Sequence, residues 1–182
     1  MNKALLLIDL QNDYFPGGAM ELVGADAAVA QAAKLLDAFR RQSLPVVHIQ
    51  HVSTRTGATF FLPDTRGVEI HSSVTPRAGE SVLTKHYPNA FRETPLLDHL
   101  REHAITQLVI AGMMTQMCID TSTRAAADLG FACTVAHDAC ATRALSFGGI
   151  TVAAADVQAA FMAALSGLFA KVLATAEIQS SI

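Results

Sequence analysis

The sequence has few cysteines, no cluster of basic residues and no long apolar run. Its three cysteines, Cys118, Cys133 and Cys140, are odd in number and lack C-x-x-C spacing. That excludes a disulfide framework or a zinc knuckle and points to free thiols in a reducing compartment. Lys and Arg number 13 against 16 acidic residues, for a formal net charge of -3, and they never gather into a run. The electrostatic footprint of a nucleic-acid or anionic-membrane binder is therefore missing, and a small neutral or polar partner fits better. No apolar run is long enough to span a bilayer, and Asp9 interrupts the N-terminal one before a signal peptide's apolar region would be complete. A cytoplasmic protein is expected.

What the chain does have is apolar residues, 51% of its 182 positions, enough to bury a sizeable core in one domain over 1–182. Short apolar runs alternate with helical patterns. "ALLLIDL" (4–10) reads as a strand buried on both faces that ends at Asp9. A Gly- and Pro-rich loop leads to an alanine-rich helix over 25–42, and "PVVHIQ" (45–50) reads as the second strand. Residues 51–80 are too polar and too rich in Gly, Pro and Thr for a regular element, and are expected to form a functional loop or lid. Strand 81–85, helix 94–102, strand "QLVIA" and a helix over 118–129 with Gly130 as its C-cap follow. Strand "FACTVAHDA", a helix within 152–166 and strand "LFAKVL" complete the pattern. This order predicts an α/β fold, a doubly wound, mostly parallel six-stranded sheet with helices on both faces.

In such sheets ligands bind beyond the carboxyl ends of the strands. Asp9, Lys85 and the turn from Gly112 to Cys118 all fall at such ends. A cysteine in the first turn of a helix meets free N–H groups and the positive end of the macrodipole, which lower a thiol's pKa. A nearby carboxylate would take its proton, and a lysine would hold that carboxylate ionised. Taken singly, each residue has a plain alternative: a buried structural thiol, a strand-ending turn residue and a solvated surface lysine. No G-x-G-x-x-G follows the first strand, which speaks against a dinucleotide site.

Four stretches, "LLLIDLQNDYFPGGAM", "LTKHYPNAF", "LVIAGMMTQMCIDTSTRAAADLGF" and "VAHDACAT", resemble the isochorismatase-like cysteine hydrolases, which include nicotinamidases, carbamoyl-amide hydrolases and related amidases. The resemblance spans most of the chain. It implies a triad in which Cys118 is the nucleophile, Asp9 the base and Lys85 the electrostatic partner. It also implies a cis peptide between Met113 and Met114, with an oxyanion hole formed by the N–H groups of Met114 and Cys118. Because the nucleophilic cysteine is present, an amide, carbamoyl compound or imide is expected as substrate, cleaved through a thioester. The family's habit implies a homo-oligomer, a dimer or larger.

Nicotinamidases of this family hold a divalent ion through an Asp and two His in a D-x-H arrangement after strand two. Here His48, His51 and His71 lack an acidic companion at that place. His48 and His51, three apart on a strand, face opposite ways. No metal and no cofactor are expected, the remaining metal route being His51, His71 and Asp64. Phe15, Phe60, Phe61 and Tyr87 are candidates for an apolar substrate wall, with core packing the alternative. Gln11 and Asn12 are candidates for orienting hydrogen bonds. Thr115 and Gln116 lie in the oxyanion turn as fixtures of its shape, Thr115 being also a candidate substrate contact, and Asp138 is expected to buttress the site.

Overall fold

The computed structural model describes residues 2–182, and its strands fall where continuous apolar runs meet turn residues. They are β1 (Asn2–Ile8), β2 (Val46–His51), β3 (Ser81–Lys85), β4 (Ile105–Met113), β5 (Ala132–Ala141), β6 (Leu145–Phe147), β7 (Ile150–Val152) and β8 (Ala170–Leu173). The helices are α1 (Ala25–Arg41), α2 (Leu96–Glu102), α3 (Asp120–Asp128), α4 (Ala154–Leu165) and α5 (Thr175–Gln179). Six strands form one sheet in the order β3-β2-β1-β4-β5-β8, every neighbouring pair parallel.

Alternation along β1 explains how one apolar run serves two cores. Leu5 and Leu7 pack with Val29, Leu35, Leu36 and Phe39 of α1 and with Ile178 of α5. Ala4, Leu6 and Ile8 pack on the other face with Leu96 and Leu100 of α2, Ala126 of α3 and Met162 and Leu165 of α4. A strand buried on both faces has no polar side to show, which is why "ALLLI" reads as a continuous run.

At the carboxyl end of β1, Gly112 of β4 lies beside Ile8 with φ +136, and a Cβ there would collide with the Ile8 carbonyl. Only glycine lets β4 approach β1 this closely.

Several boundaries differ from the sequence reading. β4 is longer, running through Met113, because its last residues pair with Cys140 and Ala141 of β5 past a register shift. Residues 115–119 form a single π turn and α3 starts only at Asp120, so Cys118 lies in the turn that precedes the α-helix. The β6–β7 hairpin and the short α5 were not anticipated; three-residue strands and a five-residue helix carry too little periodicity to register. The 51–80 segment holds two 3-10 turns, at Arg66–Val68 and Ser72–Val74, and is otherwise irregular.

Arg40 of α1 ties that segment down. Its Nε and Nη2 reach the two oxygens of Glu80 at 2.6 and 2.8 Å, its Nη2 also donates to the Thr75 carbonyl, and His48 lies 3.0 Å from Glu80 Oε2. Burial pushes the Glu80 carboxyl up, but Arg40, the Arg77 N–H and His48 outweigh it and hold the pKa down at about 2.

Candidate functional site

Parallel pairing brings the ends of β1, β2, β3 and β4 to one edge of the sheet, and four side chains meet there. Asp9 leaves β1 with φ 52, a left-handed conformation that Asp tolerates better than most residues, while its N–H still bonds the Ile49 carbonyl. Lys85 ends the edge strand β3, directly opposite His51 of β2. Its side chain reaches past His51 to Asp9, and both Lys85 and Asp9 are fully buried.

The Lys85 ammonium is the centre of the cluster. Its Nζ lies 2.8 Å from Asp9 Oδ2, 2.9 Å from His51 Nδ1, 3.1 Å from the Tyr87 carbonyl and 3.3 Å from Cys118 Sγ. An ammonium has three protons, so Asp9, His51 and Tyr87 satisfy it and the sulfur waits as a fourth contact. Burial works against the charged amine, but the carboxylate of Asp9 outweighs it and keeps the lysine protonated. The Asp9 Oδ1 atom is buried without a hydrogen-bond partner.

Around Cys118 the backbone is unusual. The Met113–Met114 peptide is cis, and the Met114 carbonyl accepts the N–H groups of both Met117 and Ile119. The i to i−5 bond to Ile119 makes the turn wider than an α turn, a geometry found mostly at functional sites. Side chains pin it from outside: Thr115 Oγ1 reaches the Ala141 carbonyl and Gln158 Oε1, and Thr142 donates to Gln116 Oε1. Thr115 is fully buried, and its hydroxyl is spent on fixing the turn.

The thiol's acidity runs opposite to the expectation. Burial first and the Asp9 carboxylate second raise the Cys118 pKa, and Lys85 offsets only part of this. Solvent exclusion and the adjacent carboxylate oppose the helix terminus in setting this thiol's acidity.

A cavity of about 470 Å³ opens beside the cluster, lined by His51, Phe60, His86, Tyr87, Pro88 and Met117, with Ser53, Thr54, Arg55 and Ala58 from the following loop. Of the expected wall residues, Phe60 and Tyr87 line it. Phe61 does not: it is fully buried behind the wall, its N–H bound to Asp13 Oδ2 and its ring edge-on to Tyr14 at 4.7 Å. Phe15 is also elsewhere, stacked on His71 at 4.0 Å in a separate depression. Gln11 lies beneath the site. Its amide donates to the His51 and Val68 carbonyls and accepts the His51 N–H, so it is spent on holding the backbone. Asn12 likewise donates to the Arg66 carbonyl. Asp138, expected to buttress the site, accepts from the N–H and hydroxyl of Thr175 at the start of α5.

His51, weighed in the sequence only as a metal ligand, is the fourth member of the cluster. Its β-strand position was legible, but its pairing with Lys85 depends on the β2–β3 register, which no local pattern reveals. His48 does face the other way, toward Arg40 and Glu80.

Among the described residues, the metal-type donors that converge are Asp9, His51 and Cys118, whose donor atoms all lie within 4.8 Å of one another. His51, His71 and Asp64 do not form such a group. The centre of the converging set is taken by the Lys85 ammonium, so a metal cation would have to displace a charge the protein itself supplies. The donor set does not suit a metal.

The chain has counterparts among known proteins. The Isochorismatase domain model matches residues 3–177. The isochorismatase family protein YddQ of Bacillus subtilis is 49% identical over 96% of this chain and 97% of its own length. A solved isochorismatase-family structure from Oleispira antarctica is 55% identical and superposes with a TM-score of 0.95, covering 98% of this chain and 96% of that one. The nicotinamidase of Escherichia coli is 27% identical over 88% of this chain and 89% of its own. With the fold, nearly the full length and this degree of identity in common, the chain belongs to the isochorismatase family of hydrolases.

Proposed function

We propose that the protein is a metal-independent cysteine hydrolase that cleaves the C–N bond of a small amide, carbamoyl compound or imide through a thioester on Cys118. The observation that carries this reading is the convergence of the buried Lys85 ammonium on Asp9 and Cys118 at the edge of a cavity. A buried pair of opposite charges is costly to maintain for stability alone, and here it adjoins the Cys118 thiol.

The raised thiol pKa makes Asp9 the necessary base. Asp9 takes the Cys118 proton as sulfur attacks the carbonyl carbon, and Lys85, already 3.3 Å from Sγ, stabilises the thiolate as it forms. The C=O π electrons move to oxygen, which the N–H groups of Met114 and Cys118 receive. Each such donor contributes about 3 kcal/mol in comparable sites. The intermediate collapses, the C–N bond breaks, and the proton on Asp9 passes to the leaving nitrogen. Water, deprotonated by Asp9, then attacks the thioester, so one amide and one water become one acid and one ammonia or amine.

A metal-assisted, nicotinamidase-type reaction is the second reading, which the E. coli relative favours and the Lys85-centred donor set disfavours. Incubation with a panel of small amides, carbamoyl compounds and imides, acid quench and intact-mass analysis tests the first reading. An acyl adduct present on the native protein and missing from Cys118→Ala is the expected result. Released ammonia without any dependence on Cys118 would overturn it.

A further inference from the structure

The cavity wall carries a hydrogen-bond donor for which the reaction above has no use. His51 ends β2, and Gln11 clamps it through both backbone groups, accepting its N–H at 2.8 Å and donating to its carbonyl at 2.9 Å. Its ring packs 5.7 Å from that of Phe61, and its Nδ1 lies 2.9 Å from Lys85 Nζ. An ammonium only donates, so Nδ1 accepts, and in a neutral imidazole the proton then resides on Nε2. Burial, then Lys85, lower the His51 pKa to about 4, so this neutral tautomer persists across the physiological range. Nε2 occupies the ring edge away from Lys85, and the residue borders the cavity. The same cavity is bordered by Arg55 and His86 and by no Asp or Glu. Its polar lining therefore favours an anion over a cation. The Lys85 charge is already matched by Asp9, which leaves His51 as the cluster side chain that borders the cavity.

We propose that His51 is a specificity-determining residue whose Nε2–H donates to a carboxylate on the acyl half of the substrate. The preferred substrates are then small amides whose acyl part also carries a carboxylate. This rests on Cys118 being the nucleophile.

A pair of aldehydes tests both layers separately, because a thiol adds reversibly to an aldehyde without any leaving group. The S–C bond forms as the C=O π bond breaks, and the sulfur's proton passes by way of Asp9 to the new oxygen. Succinic semialdehyde carries a carboxylate, and butyraldehyde, of the same chain length, does not. Binding is read as protection of Cys118 from iodoacetamide, followed by intact mass. The native protein is expected to bind succinic semialdehyde roughly tenfold or more tightly than butyraldehyde, the scale of one hydrogen bond to a charged group. His51→Asn offers an acceptor near Nδ1 but no donor at Nε2, so the ratio of the two affinities should fall to about one, whatever the variant does to both together. His51→Gln places an amide N–H near Nε2 and should keep most of the preference. Equal binding of the two aldehydes by the native protein, or a preference surviving in His51→Asn, overturns the inference and leaves the nucleophile assignment intact. Protection by neither aldehyde removes the nucleophile assignment, and the inference falls with it.

Discussion

Lys85 Nζ lies 2.8 Å from Asp9 Oδ2, and neither side chain reaches solvent. An isolated buried charge would cost several kcal/mol, so the two are tolerated only together. Removing one partner is therefore a different experiment from removing both. Lys85→Met is expected to destabilise the protein by about 3 kcal/mol or more and to abolish hydrolysis. The double variant Asp9→Asn, Lys85→Met should recover much of that stability while remaining inactive. Urea denaturation of the three proteins decides it, and a double variant no more stable than Lys85→Met would show that the pair is not coupled.

Cys118→Ser preserves the shape of the turn but replaces the sulfur nucleophile by a poorer oxygen one. Hydrolysis should fall below about a thousandth of the native rate with melting temperature shifted by no more than a few degrees. Steady-state turnover on whichever amide yields the acyl adduct is the measurement, and substantial residual activity would remove Cys118 from the chemistry.

Because Lys85 stands where a cation would bind between Asp9, His51 and Cys118, chelation should not matter. Activity after prolonged dialysis against EDTA or 1,10-phenanthroline is expected to equal that of untreated protein. Loss of turnover that zinc or iron restores would establish the metal-assisted reaction instead.

Acid stability should report on Glu80. Its folded pKa is depressed to about 2, so its contribution is fully present above the ordinary carboxylate range and disappears as pH falls toward 2. The native protein should lose about 2 kcal/mol through this group between pH 5 and 2. Glu80→Gln, already without it at pH 7, should show a flatter acid limb in urea titrations. Parallel limbs for the two proteins would rule out the Arg40–Glu80–His48 cluster as the source.

Gly112→Ala asks for a left-handed φ of +136 and puts a methyl group against the Ile8 carbonyl. The strands would have to separate at the edge where Asp9 and Cys118 meet. A loss of about 3 kcal/mol or more, with activity lost even at temperatures where the protein stays folded, is expected from calorimetry and turnover together. A variant as stable and active as the native chain would show that the β1–β4 approach is not needed.

The sequence by itself determined the order of the main elements and their layering. Continuous apolar runs such as 4–8 must be buried on both faces, and helices with one apolar stripe must cover them, so a doubly wound parallel sheet follows from local pattern alone. It also placed Asp9, Lys85 and Cys118 at strand ends on one edge. Tertiary structure alone decided what those residues are like. The upward push on the Cys118 thiol comes from burial and from Asp9, both supplied by groups distant in sequence. The part played by His51 follows from a register between two strands 34 positions apart. Gln11, Phe15, Phe61 and Thr115 look like substrate contacts when read by proximity along the chain, and each is spent on packing or backbone hydrogen bonds in the fold. Proximity in sequence constrains where a side chain starts, whereas burial and hydrogen-bond partners, which come from the whole chain at once, settle what it can do.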